Sequence, residues 1–451
     1  MEGAMTEMGE RLLRVGWGSA YADDNLDPAE DLACNGDLQV LCFDALAERT
    51  LALAQVRKRE NPQLGYDLRL DEFSQRFFPY AARGLKLITN MGAANPTQAA
   101  VKLAQAGKSY GLKIAAITGD DVLDTILETD PVLDEVNCPL SAMTGKVISA
   151  NAYIGADGVA NALSRGADVV VGGRLADPSL FLGAAMWWFG WSPSDWSRLG
   201  QGIVVGHLLE CGVHVTGGNY ADPPYRKVPG LDHLGMPWAE VFPDGEAVIG
   251  KLPDSGGMVT PNTVKAQLVY EIHDPARYLT PDVVADFCQV TVEATENRDQ
   301  VRVRGGAGTM RPDTLKVLIG VDQGFTAESE VSFAGPGAYD RALLCQEVLQ
   351  SRYQRFYKTS CEEVRFDLIG VNAIHGRATP TLEQPPYEVR VRMAVHTQQR
   401  AVAERVAREV EWQYFGPSGA GGMRSQIRPF LALYSSRIPR DQVPVEVSIW
   451  S

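Results

Sequence analysis

Acidic, amide and glycine residues recur in this chain just after short apolar runs. GWGSAYADDN carries Gly16, Gly18, Ser19, Asp23 and Asp24, and NMGAANP carries Asn90, Gly92 and Asn95. TGDD supplies Thr118, Gly119, Asp120 and Asp121; NAYIGADG supplies Asn151, Gly155 and Asp157; GGRLADPS supplies Gly172, Gly173, Arg174, Asp177 and Ser179. If the apolar runs are parallel strands, these loops converge beyond their carboxyl ends, where such sheets bind ligands. Asp120 or Asp24 would then serve as a general base, and Asn90 and Asn151 would hold a carbonyl or enolate oxygen. Arg174 would grip an anionic group, with Gly18, Ser19, Gly92 and Gly173 allowing close backbone approach to substrate.

Several assignments have a purely structural rival, whereas Asn90 and Asn151 lie in no obvious cap position. Asp121 and Asp157 could cap the helices that follow, an interaction of about 1 kcal/mol. Asn95 precedes Pro96 and suits a turn, Arg174 could simply pair with Asp177, and the adjacent Asp23 and Asp24 point in different directions.

A second cluster, HLLECGVHVTGGNYADP, brings Glu210 and Cys211 close to His207 and His214, with Gly217, Gly218 and Asn219 as backbone or amide contacts. Cys211 beside histidine could become a thiolate nucleophile; a small buried packing residue is the alternative. Cys211 and His214 are too few for structural zinc. A divalent ion, Mg²⁺ or Ca²⁺, could instead take oxygen ligands from Asp23, Asp24, Asp120 and Asp121. GWGSA lacks the full GxGxxG of a dinucleotide site, so the signal for NAD is weak. RGGAGTMRPDTLKV and FGPSGAGGMR could form anion-binding concavities, although ordinary glycine turns are commoner. Trp187, Trp188 and Trp191 with Phe181 and Phe189 read as core or subunit packing ahead of a wall for an isoprenoid chain, and a homo-oligomer is expected.

The elements that must position these residues follow from periodicity. Apolar runs at 12–18, 38–43, 85–90, 112–118, 147–152 and 168–172 alternate with helical segments such as 96–106 and 157–164. This is a βαβα pattern, which implies a parallel sheet covered on both faces, open in preference to a closed barrel. The expected fold class is α/β: a mostly parallel, Rossmann-like βα sheet domain over 1–282, including an irregular Gly/Pro-rich region at 217–257, then an α+β domain over 283–451. The boundary rests on QVTVE, QVRVR, LKVLIGV and SEVSF, which read as antiparallel hairpins with ENRD and DQGF as turns.

At 451 residues, 45% hydrophobic and 22% charged, the chain exceeds a single domain and should fold throughout. A net charge of −14 without any basic run excludes nucleic acid as a partner. No signal-peptide pattern and no apolar stretch of roughly 18 residues appears, so no membrane partner is expected. Seven scattered cysteines without CxxC suit reduced thiols, giving a cytoplasmic expectation.

GSAYADDNLDPAEDL, NMGAANP, GADVVVGGRLADPSL, GHLLECGVHVTGGNYADP, GGMVTPNTVKAQLVYEIHDPARYLTPDVVADF and GTMRPDTLKV, in this order, resemble the acyclic terpene utilisation (AtuA) family over nearly the whole chain. The resemblance implies catabolism of branched, isoprenoid compounds, with a small-molecule acyl-CoA or carboxylate as substrate. Longer members carry a ferredoxin-like C-terminal module, whose ARSGDKG-like segment is not found here. The expectation is an enzyme with lyase or hydratase acid–base chemistry; the alternative is a non-catalytic acyl-CoA-binding or scaffold subunit.

Overall fold

The computed structural model describes residues 12–412 and 418–451. The chain divides into a larger unit, drawn from residues 1–140, 148–319 and 434–451, and a smaller one, 141–147 with 320–433. Its strands are β1 (Leu13–Trp17), β2 (Val40–Phe43), β3 (Lys86–Thr89), β4 (Ile114–Thr118), β5 (Lys146–Ala152), β6 (Val169–Gly172), β7 (Pro237–Val241), β8 (Ala247–Lys251), β9 (Tyr278–Leu279), β10 (Val284–Asp286), β11 (Thr291–Ala294), β12 (Gln300–Arg304), β13 (Ala307–Thr309), β14 (Thr314–Ala334), β15 (Glu363–Ile369), β16 (Glu388–Thr397), β17 (Ala420–Pro439) and β18 (Glu446–Trp450).

In the larger unit a ten-stranded sheet runs β11-β12-β8-β7-β1-β2-β3-β6-β4-β18. Its centre, β1-β2-β3-β6-β4, is parallel. VLCF and VVVG are buried at every position, as strands covered on both faces must be. Among the covering helices, α1 (Leu70–Ala81) presents Phe73 and Phe77 to Phe43 of β2, with ring centroids 5.0 and 4.8 Å apart. Each such buried ring contributes about 1.5–3 kcal/mol of transfer free energy, and together they fix where β2 ends.

The sheet is mixed, which corrects the expectation of a mostly parallel one. β7, β8, β12 and β11 continue it antiparallel from β1, and β18 adds antiparallel to β4. The region 217–257 therefore contains a hairpin. Its turn is Phe242-Pro243-Asp244-Gly245: Gly245 takes φ +93°, its amide donates to the Phe242 carbonyl, and PDG supplies the turn chemistry. Residues 283–319 and 434–451, read from sequence as part of a second domain, lie in the larger unit. Of the antiparallel runs after residue 282, QVTVE and QVRVR form the edge of the same sheet, whereas LKVLIGV and SEVSF belong to β14 of the other sheet. β5 is absent from this sheet and pairs with β14.

The smaller unit holds the sheet β15-β16-β14-β17, packed by α2 (Ala338–Phe356) and α3 (Arg400–Ala407) around Phe333, Leu349, Val391 and Met393. DQGF does not end a strand: β14 runs through it, with Gly324 at φ +93° and its amide donating to Asp322 Oδ1. In FGPSGAGGMR, residues 415–417 lie outside the described residues.

Candidate functional site

The parallel strands β1, β2, β3, β4 and β6 deliver Ser19, Asp44, Asn90, Asp120 and Arg174 to one edge, immediately beyond their last residues or one or two further on. Two hydrogen-bonded groups form there. In the first, the Ser19 hydroxyl donates to the Asp44 carbonyl at 2.7 Å and the Asn90 amide to Asp44 Oδ1 at 2.6 Å. Asn90 Oδ1 accepts from the Ala45 amide at 2.7 Å, so its side chain is fully occupied in holding the chain after β2. Burial pushes the Asp44 carboxyl well above the usual range. The Asp177 carboxylate adds to this, while Arg174 and Asn90 oppose it.

In the second group, Asp120 Oδ2 accepts from the Asn151 side-chain amide and from the Arg174 backbone amide, both at 2.9 Å. Gln55 donates to Asn151 Oδ1 at 3.1 Å. Burial raises the Asp120 carboxyl. A Cβ on Gly173 would run into that carboxylate, which accounts for the glycine. Gly18 and Gly92 are likewise packing glycines: a Cβ would strike the Phe43 ring at Gly18, and the Gly172 carbonyl at Gly92. The structure thus joins Ser19 and Asn90 around Asp44, and Asp120, Asn151 and Arg174 in a second group; of these five only Arg174 lines open space.

That space is a cleft of about 870 Å³ lined by Arg174, Glu48, Tyr153, Asp177, Tyr278 and Lys316 among others. This size suits a drug-sized ligand. Arg174 is 2% exposed; its Nη1 donates to the Leu175 carbonyl and to Asp177 Oδ1, both at 2.8 Å, while its buried Nε has no partner. The sequence alternative of an Arg174–Asp177 pair is therefore present, yet leaves one guanidinium donor free. The guanidinium stacks 4.0 Å from the Tyr153 ring centroid, and Lys316 Nζ lies 4.9 Å from the same centroid. Tyr153 donates to Glu48 at 2.8 Å. Burial drives the Tyr153 hydroxyl up and keeps it protonated. Burial also pushes Glu48 upward, but Arg174, its own amide, Tyr153 and Lys316 outweigh that and leave it ionised below the usual range. Ala176, Pro178, Leu279, Pro281, Val284 and Leu315 give the cleft an apolar wall.

One wall is anchored by Asp282, which accepts from the Ala156 amide at 2.8 Å and the Ser179 hydroxyl at 2.5 Å; burial pushes its carboxyl up to about 6. Behind Tyr278, His207 Nδ1 meets Glu210 Oε1 at 2.7 Å and its Nε2 meets the Gln267 carbonyl at 3.0 Å. The His207 ring therefore keeps a proton on Nε2 and shares a second with Glu210.

The remaining sequence candidates lie elsewhere. Cys211 follows the helix α4 (Trp196–Glu210), and burial with Glu210 nearby pushes its thiol up to about 12, so the conditions for a thiolate are missing. Asp24 accepts from the Ala20 amide at 2.9 Å in the turn after β1 and does not line the cleft. Gly217 (φ +111°) and Gly218 belong to a turn near Val228 and Val213, and Asn219 is exposed. Asp157 pairs with Arg311 at 3.0 Å, and no side chain caps its helix. Among the described residues no three His, Cys, Asp or Glu side chains gather as metal ligands; Asp24 and Asp120 sit in separate clusters. None of the seven cysteines forms a disulfide, and among the described residues no helix is long and apolar enough to cross a membrane.

Asp44 was missed although it follows a strand, because LCFDA carries none of the glycines that mark the other strand ends. Glu48, Tyr153 and Lys316 meet only through the fold.

A mixed α/β core carries a cation-centred cleft at the carboxyl edge of its parallel strands. A family model described as acyclic terpene utilisation family protein AtuA matches residues 13–449, and the chain belongs to that family. No curated protein and no solved structure matches it.

Proposed function

We propose that this protein is an enzyme of acyclic terpenoid breakdown that acts on a branched carboxylic acid or its acyl thioester, by acid–base chemistry of the lyase or hydratase type. The family supports the terpenoid substrate. The observation that carries the chemistry is Arg174, whose guanidinium lines a cleft that also has an apolar wall. An acyl chain would lie on the wall with its oxygens toward Arg174 and Lys316, which stabilise the negative charge developing on oxygen as a neighbouring C–H or O–H proton leaves. Glu48, ionised and accepting from the Tyr153 hydroxyl at 2.8 Å, is the base: the Tyr153 oxygen takes the substrate proton as Tyr153 passes its own to Glu48. In this reading Asp120 and Asn151 hold Arg174 in place.

Geranate and geranoyl-CoA incubated with the protein in heavy water test the proposal by mass spectrometry. Addition of water or deuterium at carbon is expected, lowered at least roughly a hundredfold by Arg174→Lys. Ligand retained without any turnover contradicts an enzyme and favours a binding subunit.

A further inference from the structure

Tyr278 lines the same cleft as Arg174 and Asp177. It opens β9, a two-residue strand paired with β10, and two rings fix its own: the centroids of His207 and Phe287 lie 5.8 and 5.4 Å away, and 5.6 Å from each other. His207 is in turn held at both nitrogens, by Glu210 at 2.7 Å and the Gln267 carbonyl at 3.0 Å, so the group has little freedom to turn. Among the described residues nothing bonds the Tyr278 hydroxyl, and it is not one of the buried unpartnered atoms, so it opens on the cleft. Burial of the ring, with the Glu210 and Asp177 carboxylates near, drives this phenol upward and keeps its proton in place. Tyr278 is a donor without an acceptor.

Asp177 offers the converse. Its Oδ1 is committed to Arg174 Nη1 at 2.8 Å, while the side chain stays 33% exposed and Oδ2 takes no part in that pair. Packing joins it to Tyr278: the helix Asp177–Phe189 begins where Gly206 of α4 lies against Pro178, so close that a Cβ on Gly206 would stand 2.8 Å from the proline. The next residue of α4 is His207, whose ring packs on Tyr278.

From this pairing we infer that the cleft holds a hydroxyl group of the ligand, which donates to Asp177 and accepts from Tyr278. The inference deepens the reading of Arg174 as the acid-binding group and rests on it. A hydroxyl fits because it donates and accepts at one atom. A second carboxylate would meet the Asp177 charge, an ammonium could not accept from Tyr278, and an apolar carbon would leave donor and acceptor unpaired. Because Asp177 is bonded to Arg174, the hydroxyl lies close to the acid group, as it does in a β-hydroxy acid, the hydrate of an α,β-unsaturated one. The cleft is therefore selective for the hydrated form of its ligand.

Isothermal titration of citronellate and of its β-hydroxy derivative, the hydrate of geranate, into the full-length protein reads the hydroxyl alone, since the two acids differ in nothing else. The wild type should bind the hydroxy acid at least about tenfold more tightly. Tyr278→Phe keeps the ring between His207 and Phe287 and removes a hydroxyl that bonds nothing in the protein. This variant should melt within a few degrees of wild type and bring the two affinities to within about threefold of each other. A wild-type ratio near one, or a ratio that Tyr278→Phe leaves intact, overturns the hydroxyl site while leaving Arg174 as the acid site. Failure of the wild type to bind either acid, or undiminished binding of both by Arg174→Lys, overturns the acid site and the hydroxyl site with it.

Discussion

Arg174 lays its guanidinium 4.0 Å from the centroid of the Tyr153 ring while Nη1 holds Asp177 at 2.8 Å, so one buried cation joins the loop after β6, the residue after β5 and the first turn of the following helix. Arg174→Lys loses the fork and the stack together, because an ammonium cannot make both. We expect a loss of about 1–3 kcal/mol in urea unfolding. Arg174→Ala, which leaves Asp44 and Asp177 uncompensated, should cost more, about 3–5 kcal/mol.

Gly173→Ala tests the support beneath that arginine. A methyl group there meets the Asp120 carboxylate, itself fixed by Asn151 and the Arg174 amide. Overpacking of this kind costs about 1–3 kcal/mol. Chemical denaturation should show that loss, whereas Gly84→Ala, where no heavy atom lies within 4 Å of the added Cβ, reports only the cost of φ +109°.

Asp282 gives a pH signature. Its carboxyl stands at about 6 in the folded protein, against an ordinary aspartate value of 3.8, because of burial. The folded state therefore holds a proton that the unfolded state has released. Stability falls as pH rises from near 3.8 to about 6, and the loss is complete above that window. The shift corresponds to roughly 3 kcal/mol. Asp282→Asn, which can still accept from the Ala156 amide, should flatten the profile. An unchanged slope of unfolding free energy against pH in this variant contradicts the assignment.

Much of this was legible in the sequence. The five parallel strands fall on the expected apolar runs, because full burial leaves an unbroken hydrophobic signature. The antiparallel edge was not, since PWAEV opens with proline, AVIGK has glycine within it, and both sit among glycines and prolines that read as loop. The strand-end rule singled out Asn90, Asp120, Asn151 and Arg174, of which the last three share one hydrogen-bonded group; residue type alone could not say that Asn90, Asp120 and Asn151 bond other side chains and nearby backbone. Nothing local places Lys316 beside Tyr153; they meet because β5 leaves the main sheet to pair with β14.

Cys211 should behave as an inert thiol. With its thiol pushed up to about 12, labelling by iodoacetamide near neutral pH should be slow relative to the exposed Cys34 and Cys288. Cys211→Ser should retain ligand binding within about threefold, a change of less than 1 kcal/mol. Rapid labelling of Cys211 with parallel loss of turnover would restore it as a nucleophile.

A crystal structure of the full-length protein with geranate bound tests the central claim most directly. The expected result is the ligand carboxylate within hydrogen-bond distance of the Arg174 guanidinium, near Lys316 Nζ, with the hydrocarbon chain against Pro178, Leu279 and Leu315. A carboxylate bound away from Arg174, at the turn of Gly217 and Gly218 or beside Cys211, would contradict it.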